Sequence, residues 1–192
     1  MKSDYFKVIR GGLNSTFQDQ GRENLYHIGI PFSGAMDNRN YLITNKLLNN
    51  NDNDAAIEFA FQGPVLKYFG QKRNIVVTGN VNFKIIKNDN SQHIGECYRT
   101  IQIDDGDIID ILSTNKSVYG YFSVNGGFKL NKFWNSFSTT IRARVGPNKG
   151  KKLIEGQEIF LNDPKSSTYR KLEFVNTKIE FIRVIKGTNF DF

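Results

Sequence analysis

Short apolar–polar alternations, broken by turn signals, run through most of this chain and confine it to a β-rich fold. Ile57, Phe59 and Phe61 recur at every second position, so they share one face of an extended segment. Asn74-Ile75-Val76-Val77-Thr78 is a β-branched run, and Val81, Phe83 and Ile85 alternate with polar neighbours before an Asn88-Asp89-Asn90 turn. Ile101 and Ile103 alternate again, and Asp104-Asp105-Gly106-Asp107 turns the chain into a further strand over 108–112. An aromatic and β-branched segment, 118–124, ends in Asn125-Gly126-Gly127, and strands are expected at 157–161, 171–175 and 178–184. One helix is predicted after Asp37, whose carboxylate can accept from the free N–H groups of the first turn. Tyr41, Ile43, Leu47 and Leu48 give that helix one apolar stripe, and the Asn/Asp run 49–54 ends it. Many short strands with one or two short helices predict a mainly β fold, a barrel or a sandwich. The absence of strand–helix alternation argues against a doubly wound nucleotide-binding fold.

The 192 residues suffice for one substantial core but would be cramped as two domains. Charged residues at 23% and hydrophobic ones at 39% are the proportions of a folded domain, which excludes global disorder. No apolar run is long enough for a membrane helix and the N-terminus lacks a signal peptide's apolar stretch, so a cytoplasmic location and no membrane partner are expected. Cys97 is the single cysteine, hence no internal disulfide, and a half-buried structural thiol is expected there. Net charge is +7. Residues 129–187 hold 13 Lys and Arg against 5 Asp and Glu, whereas the remainder holds 13 against 14. That basic half suits an acidic partner or a phosphate-bearing ligand, or is merely a solvated surface.

Polar chemistry concentrates near the start. Thr16-Phe17-Gln18-Asp19-Gln20-Gly21-Arg22 and Gly29-Ile30-Pro31-Phe32-Ser33-Gly34-Ala35-Met36-Asp37 gather acids, an arginine, an amide, hydroxyls and glycines. Such a mix packs a core poorly and suits exposed turns on which polar groups converge. Arg22 can hold a carboxylate or phosphate bidentately, with Asp19 orienting it or acting as base. The plainer reading is a turn in which Asp19 and Arg22 pair with each other and with backbone. Ser33 and Gly34 let backbone approach a ligand closely ahead of the helix start; the plainer reading is a capping loop.

Other signals are weaker. Glu58 points away from the apolar face of its strand, which predicts a solvated side chain. Ser136, Ser138, Thr139, Arg142 and Arg144 set hydroxyls beside cations in a pattern able to bind phosphate or carboxylate. His27 and His93 have no metal-ligand spacing, so no metal is expected. No Gly-x4-Gly-Lys-Ser/Thr loop, no Gly-x-Gly-x-x-Gly and no nucleic-acid module is present, so nucleic acid is not expected as a partner.

Thr16-x-Gln18-Asp19-x-Gly21-Arg22 followed by Gly29-x-Pro31-x-Ser33-Gly34-Ala35-x-Asp37 resembles the opening of the biotin-dependent carboxyltransferase family. That family includes the C subunit of 5-oxoprolinase, the antagonist of the sporulation kinase inhibitor, and allophanate hydrolase subunit 2. Asn45-x-Leu47-Leu48-x-Asn50, Glu58, Gly63-Pro64, Thr78-Gly79, Gly106-Asp107, Tyr121 with Gly126-Gly127, and Ser136-x-Ser138-Thr139 continue the resemblance in order. Departures occur where the family usually has Gly-Arg before a Leu and Gly-Asp after it, which read Gly150-Lys151, Leu153 and Gly156-Gln157 here, and where its Pro-Gln reads Thr188-Asn189.

The resemblance implies a cyclophilin-like β-barrel over 1–178, with 179–192 opening a second half. It implies one subunit of a complex, working with companion subunits A and B to open 5-oxoproline to glutamate with ATP. It equally admits a carboxyltransferase that moves a carboxyl group from carboxybiotin to urea, or a non-enzymatic partner of the B subunit. By residue type, Arg22 would hold the substrate, and Asp19, Asp37 and Glu58 would serve acid–base chemistry. Gln18, Gly21, Ser33, Gly34, Ser138 and Thr139 would bind substrate.

Overall fold

The computed structural model describes residues 3–173 and, beyond them, Phe181, Val184 and Gly187. Its strands are β1 (Tyr5–Arg10), β2 (Asn14–Gln18), β3 (Ala56–Ala60), β4 (Val65–Phe69), β5 (Arg73–Thr78), β6 (Val81–Ile86), β7 (Gln92–Ile94), β8 (Ile101–Ile103), β9 (Ile108–Thr114), β10 (Tyr119–Val124) and β11 (Glu158–Phe160). They form two antiparallel sheets, ordered β11-β1-β4-β9-β6-β7 and β2-β3-β10-β5-β8. No ladder joins the two sheets among the described residues, so the expected barrel is not closed.

Alternation sends Phe6, Val8, Leu66, Tyr68, Phe83, Ile109 and Ile111 of the first sheet inward. They meet Phe17, Ile57, Phe59, Ile75, Val77, Phe122 and Val124 of the second, and this layer is the core. Cys97 is half-buried against it, with its thiol 3.3 Å from the Val81 carbonyl oxygen.

The second sheet is covered on its other face too. There lies α1 (Asn38–Leu47), capped by the Asp37 carboxylate, which accepts from the Asn40 N–H at 3.0 Å. Tyr41 packs with Ala56 and Tyr121, while Leu47 and Leu48 pack on Val76. The buried side of α1 is more polar than its predicted stripe: Thr44 and Asn45 are buried, and Ile43 is only half-buried. Both polar residues are bonded. Thr44 Oγ1 meets Thr78 Oγ1 at 2.6 Å, and Asn45 donates to the Asp54 carbonyl at 2.8 Å.

Two further sequence expectations change. Phe61 does not continue the face of Ile57 and Phe59; β3 ends at Ala60, and Phe61 turns at φ 59° into solvent. Its N–H and carbonyl bond Val118 and Thr114 instead. Over 171–173 there is an isolated bridge between Lys171 and Arg99 rather than a strand. The rest of that strand, most of the one at 178–184 and the boundary at 178 lie outside the described residues. Among the described residues, no helix is long and apolar enough to cross a membrane.

Candidate functional site

Residues 16–22 are largely buried, not exposed. Thr16 and Gln18 lie on β2, and Asp19 and Arg22 follow with 0% and 2% exposure. A fully buried carboxylate requires donors, and Asp19 has four. The Ser136 hydroxyl (2.7 Å), the Ser138 hydroxyl, the Phe137 N–H (2.6 Å) and the Gly21 N–H (2.9 Å) all donate to it. Asp19 and Arg22 do not pair with each other. Arg22 donates to Thr140 Oγ1 (2.9 Å) and to the Ser138 carbonyl, so it clasps the same segment, 136–140. Burial pulls its guanidinium below the usual arginine range, with the nearby Asp19 charge pushing back.

Segment 136–140 is set up by the turn before it. Phe133 and Ser136 exchange backbone hydrogen bonds around Trp134 and Asn135, both at positive φ, as in a two-residue hairpin. Segment 32–35 joins the same knot. The Arg22 N–H donates to the Phe32 carbonyl (2.8 Å), and the Ala35 N–H donates to the Asp19 carbonyl (2.9 Å). Gly21 and Gly34 make this approach possible. At φ 100° and 92°, a Cβ would lie 2.6 Å from the Phe32 ring and 3.0 Å from the Gln20 backbone, respectively.

Glu58 corrects the expectation of a solvated acid. It does point away from the core, but that face is covered by α1 and the loop before it, and Glu58 is 7% exposed. Its Oε2 accepts from the Met36 N–H (2.8 Å) and the Tyr121 hydroxyl (2.7 Å). The Tyr121 hydroxyl in turn accepts from the Asp37 N–H (2.7 Å). Burial raises the Glu58 carboxyl above its ordinary value of 4.5 despite these bonds. Burial and the adjoining Glu58 charge likewise drive the Tyr121 hydroxyl upward. Asp37 itself is committed to the helix start, since Asn40 also donates to it through its side chain at 2.6 Å.

Beside these groups lies an open cleft of about 840 Å³. Glu58, Gln18, Ser33, Gly34 and Thr139 line it, together with Thr140 and Arg142. Asp19, Arg22, Gly21, Asp37 and Ser138 do not; they stand behind its wall and hold it. Gln18 donates to Thr16 Oγ1 (2.9 Å) and the Thr139 carbonyl (3.0 Å). Its Oε1 and Thr139 Oγ1 are buried without a partner among the described residues. The wall thus offers neutral hydrogen-bonding groups and one buried carboxyl, a lining suited to a small polar molecule with an amide or similar group. Thr16, Asn14 and Tyr119 also line the cleft, and sequence reasoning assigns none of them to the site. Thr16 opens the polar 16–22 stretch, which was its signal, whereas nothing in the residue types around Asn14 and Tyr119 distinguishes them from ordinary strand positions. Among the described residues, no group of acidic, histidine or cysteine side chains is placed to hold a metal ion.

Residues 28–192 match the family model described as the carboxyltransferase domain, subdomains A and B. Over 145 residues the chain is 35% identical to the C subunit of 5-oxoprolinase from Haemophilus influenzae, covering 76% of this chain and 45% of that protein. It is 29% identical over 161 residues to the urea amidolyase of Lachancea kluyveri, covering 83% of this chain and 8% of that one. The crystal structure of K. lactis urea amidolyase superposes with a TM-score of 0.77 at 28% identity, over 91% of this chain and 10% of that chain. The chain therefore spans less than half the length of each of these relatives.

Proposed function

We propose, on the premise that this chain belongs to the carboxyltransferase domain A and B family, that it works as the C subunit of an ATP-dependent 5-oxoprolinase. With subunits A and B it would open 5-oxoproline to L-glutamate in the cytoplasm. The observation that carries this reading is Glu58 in the wall of the cleft. It is a buried carboxyl with a raised pKa, fixed by Tyr121 and Met36 beside neutral hydrogen-bonding groups. Such a carboxyl is suited to pass a proton to or from an amide nitrogen or carbonyl oxygen. Similarity to the C subunit of a 5-oxoprolinase at 35% identity supports the choice of a cyclic amide.

In this reading Gln18, Ser33 and Thr139 orient the lactam and Glu58 moves the proton. Asp19 and Arg22 keep the two cleft walls in register. ATP would act through the assembled complex.

A second reading, carboxyl transfer from carboxybiotin to urea, is supported by the likeness to urea amidolyase in fold and sequence. The neutral donors and acceptors of the cleft would then face a ureido group. Mixing this chain with its subunits A and B and following glutamate release from 5-oxoproline with ATP separates the two. Turnover that requires this chain is the expected result. Binding to the B subunit without turnover would instead favour a non-enzymatic partner, and carboxybiotin-dependent carboxylation of urea would favour the second reading.

A further inference from the structure

Two of the side chains lining the cleft carry charge, Glu58 and Arg142. Arg142 is exposed and, among the described residues, has no hydrogen-bond or ion-pair partner. Its backbone is nonetheless tightly held. Thr140 and Val145 exchange backbone hydrogen bonds at 2.8 and 3.2 Å, and the Arg144 N–H donates to the Ile141 carbonyl at 3.2 Å, which closes a short turn with Arg142 near its tip. Gly146 follows at φ 113°, where a Cβ would lie 2.4 Å from the Ser138 carbonyl oxygen. The turn is therefore pinned to the segment that Asp19 and Arg22 clasp.

The segment that carries it has charges of one sign. Residues 140–154 contain Arg142, Arg144, Lys149, Lys151 and Lys152 and no Asp or Glu. Of these, Arg142 lines the cleft, and a cation there raises the local concentration of anions. Deeper in the wall, Gln18 Oε1 and Thr139 Oγ1 sit on residues only 5% and 4% exposed and have no partner among the described residues. Both atoms are sealed from the cleft as they stand, so a ligand meets their hydrogen-bonding capacity only by a turn of these two side chains, whose residues line it.

We propose that Arg142 selects the ligand of this cleft by its charge, gripping the carboxylate of a small amide whose polar ring faces Gln18 and Thr139. A guanidinium suits this task because its forked donors match a carboxylate bidentately. Arg22, the arginine that the sequence suggests for it, has both terminal nitrogens engaged inside the wall. The inference rests on the cyclic-amide reading, so the test uses probes that separate the two.

Binding to the full chain is measured by calorimetry for 5-oxoproline, for 2-pyrrolidone (the same lactam without a carboxylate) and for succinamate (an open-chain amide carboxylate). Arg142→Gln is expected to weaken 5-oxoproline about 10- to 100-fold and to leave 2-pyrrolidone unchanged. Arg142→Lys is expected to restore part of the loss. Equal 5-oxoproline affinity in the wild type and Arg142→Gln overturns the inference and leaves the lactam reading standing. If neither lactam binds but succinamate binds in an Arg142-dependent way, selection by charge stands and the lactam reading falls. Binding of no carboxylate in this set overturns the inference.

Discussion

Glu58 shows how a single side chain takes its chemistry from what covers it. Its strand position is that of a solvated acid, yet Met36 and Tyr121 close over it. Because its pKa is raised by burial, the folded chain holds this proton more tightly than the unfolded chain does. The corresponding stability is fully present below about 4.5 and is lost as pH rises through the higher folded value. Glu58→Gln keeps an acceptor for both donors and cannot ionise. Its melting temperature should therefore gain on the wild type as pH rises from about 4 to about 7. A constant difference across that range would show that Glu58 titrates like a solvated acid. In the assembled complex the same substitution should cost turnover about 100-fold or more.

At the scale of elements, α1 positions the loop that carries Ser33, Gly34 and Met36. Its start was legible because capping is local: Asp37 and Asn40 are three residues apart and need no distant partner. Asp37→Ala should cost about 1 kcal/mol in urea unfolding, and Asp37→Asn much less. No loss in the alanine variant would mean that the loop is held by the Tyr121 contact instead. The β-branched run at 74–78, the alternation of Val81, Phe83 and Ile85 and the strand at 108–112 were legible for the same reason, since both signals are local properties of the extended backbone. The polar half of the buried face of α1 was not. Thr44 and Asn45 are satisfied by Thr78 and Asp54, and that pairing exists only once the helix lies on the sheet.

Across the whole molecule, Asp19 ties together residues up to 119 positions apart. Removing one carboxylate oxygen strands buried donors, so Asp19→Asn should lower stability by about 3 kcal/mol in equilibrium unfolding. A loss below about 1 kcal/mol would mean that the backbone bonds of the three segments suffice to hold the cleft wall. The sequence by itself determined the β-rich class, the order of most strands, the capped helix and the clustering of polar residues in 16–22 and 29–37. It did so because period, capping and turn chemistry act within a few residues. Only the tertiary structure decided that the described strands form two sheets with no ladder between them among the described residues. It also decided that Asp19 and Arg22 stand behind a wall while Glu58 and Arg142 face a cleft. Those outcomes depend on which strands pair and on what each sheet face is covered by. Burial, and with it the cost of leaving a charge or a donor unpaired, is fixed by neighbours that no local pattern names.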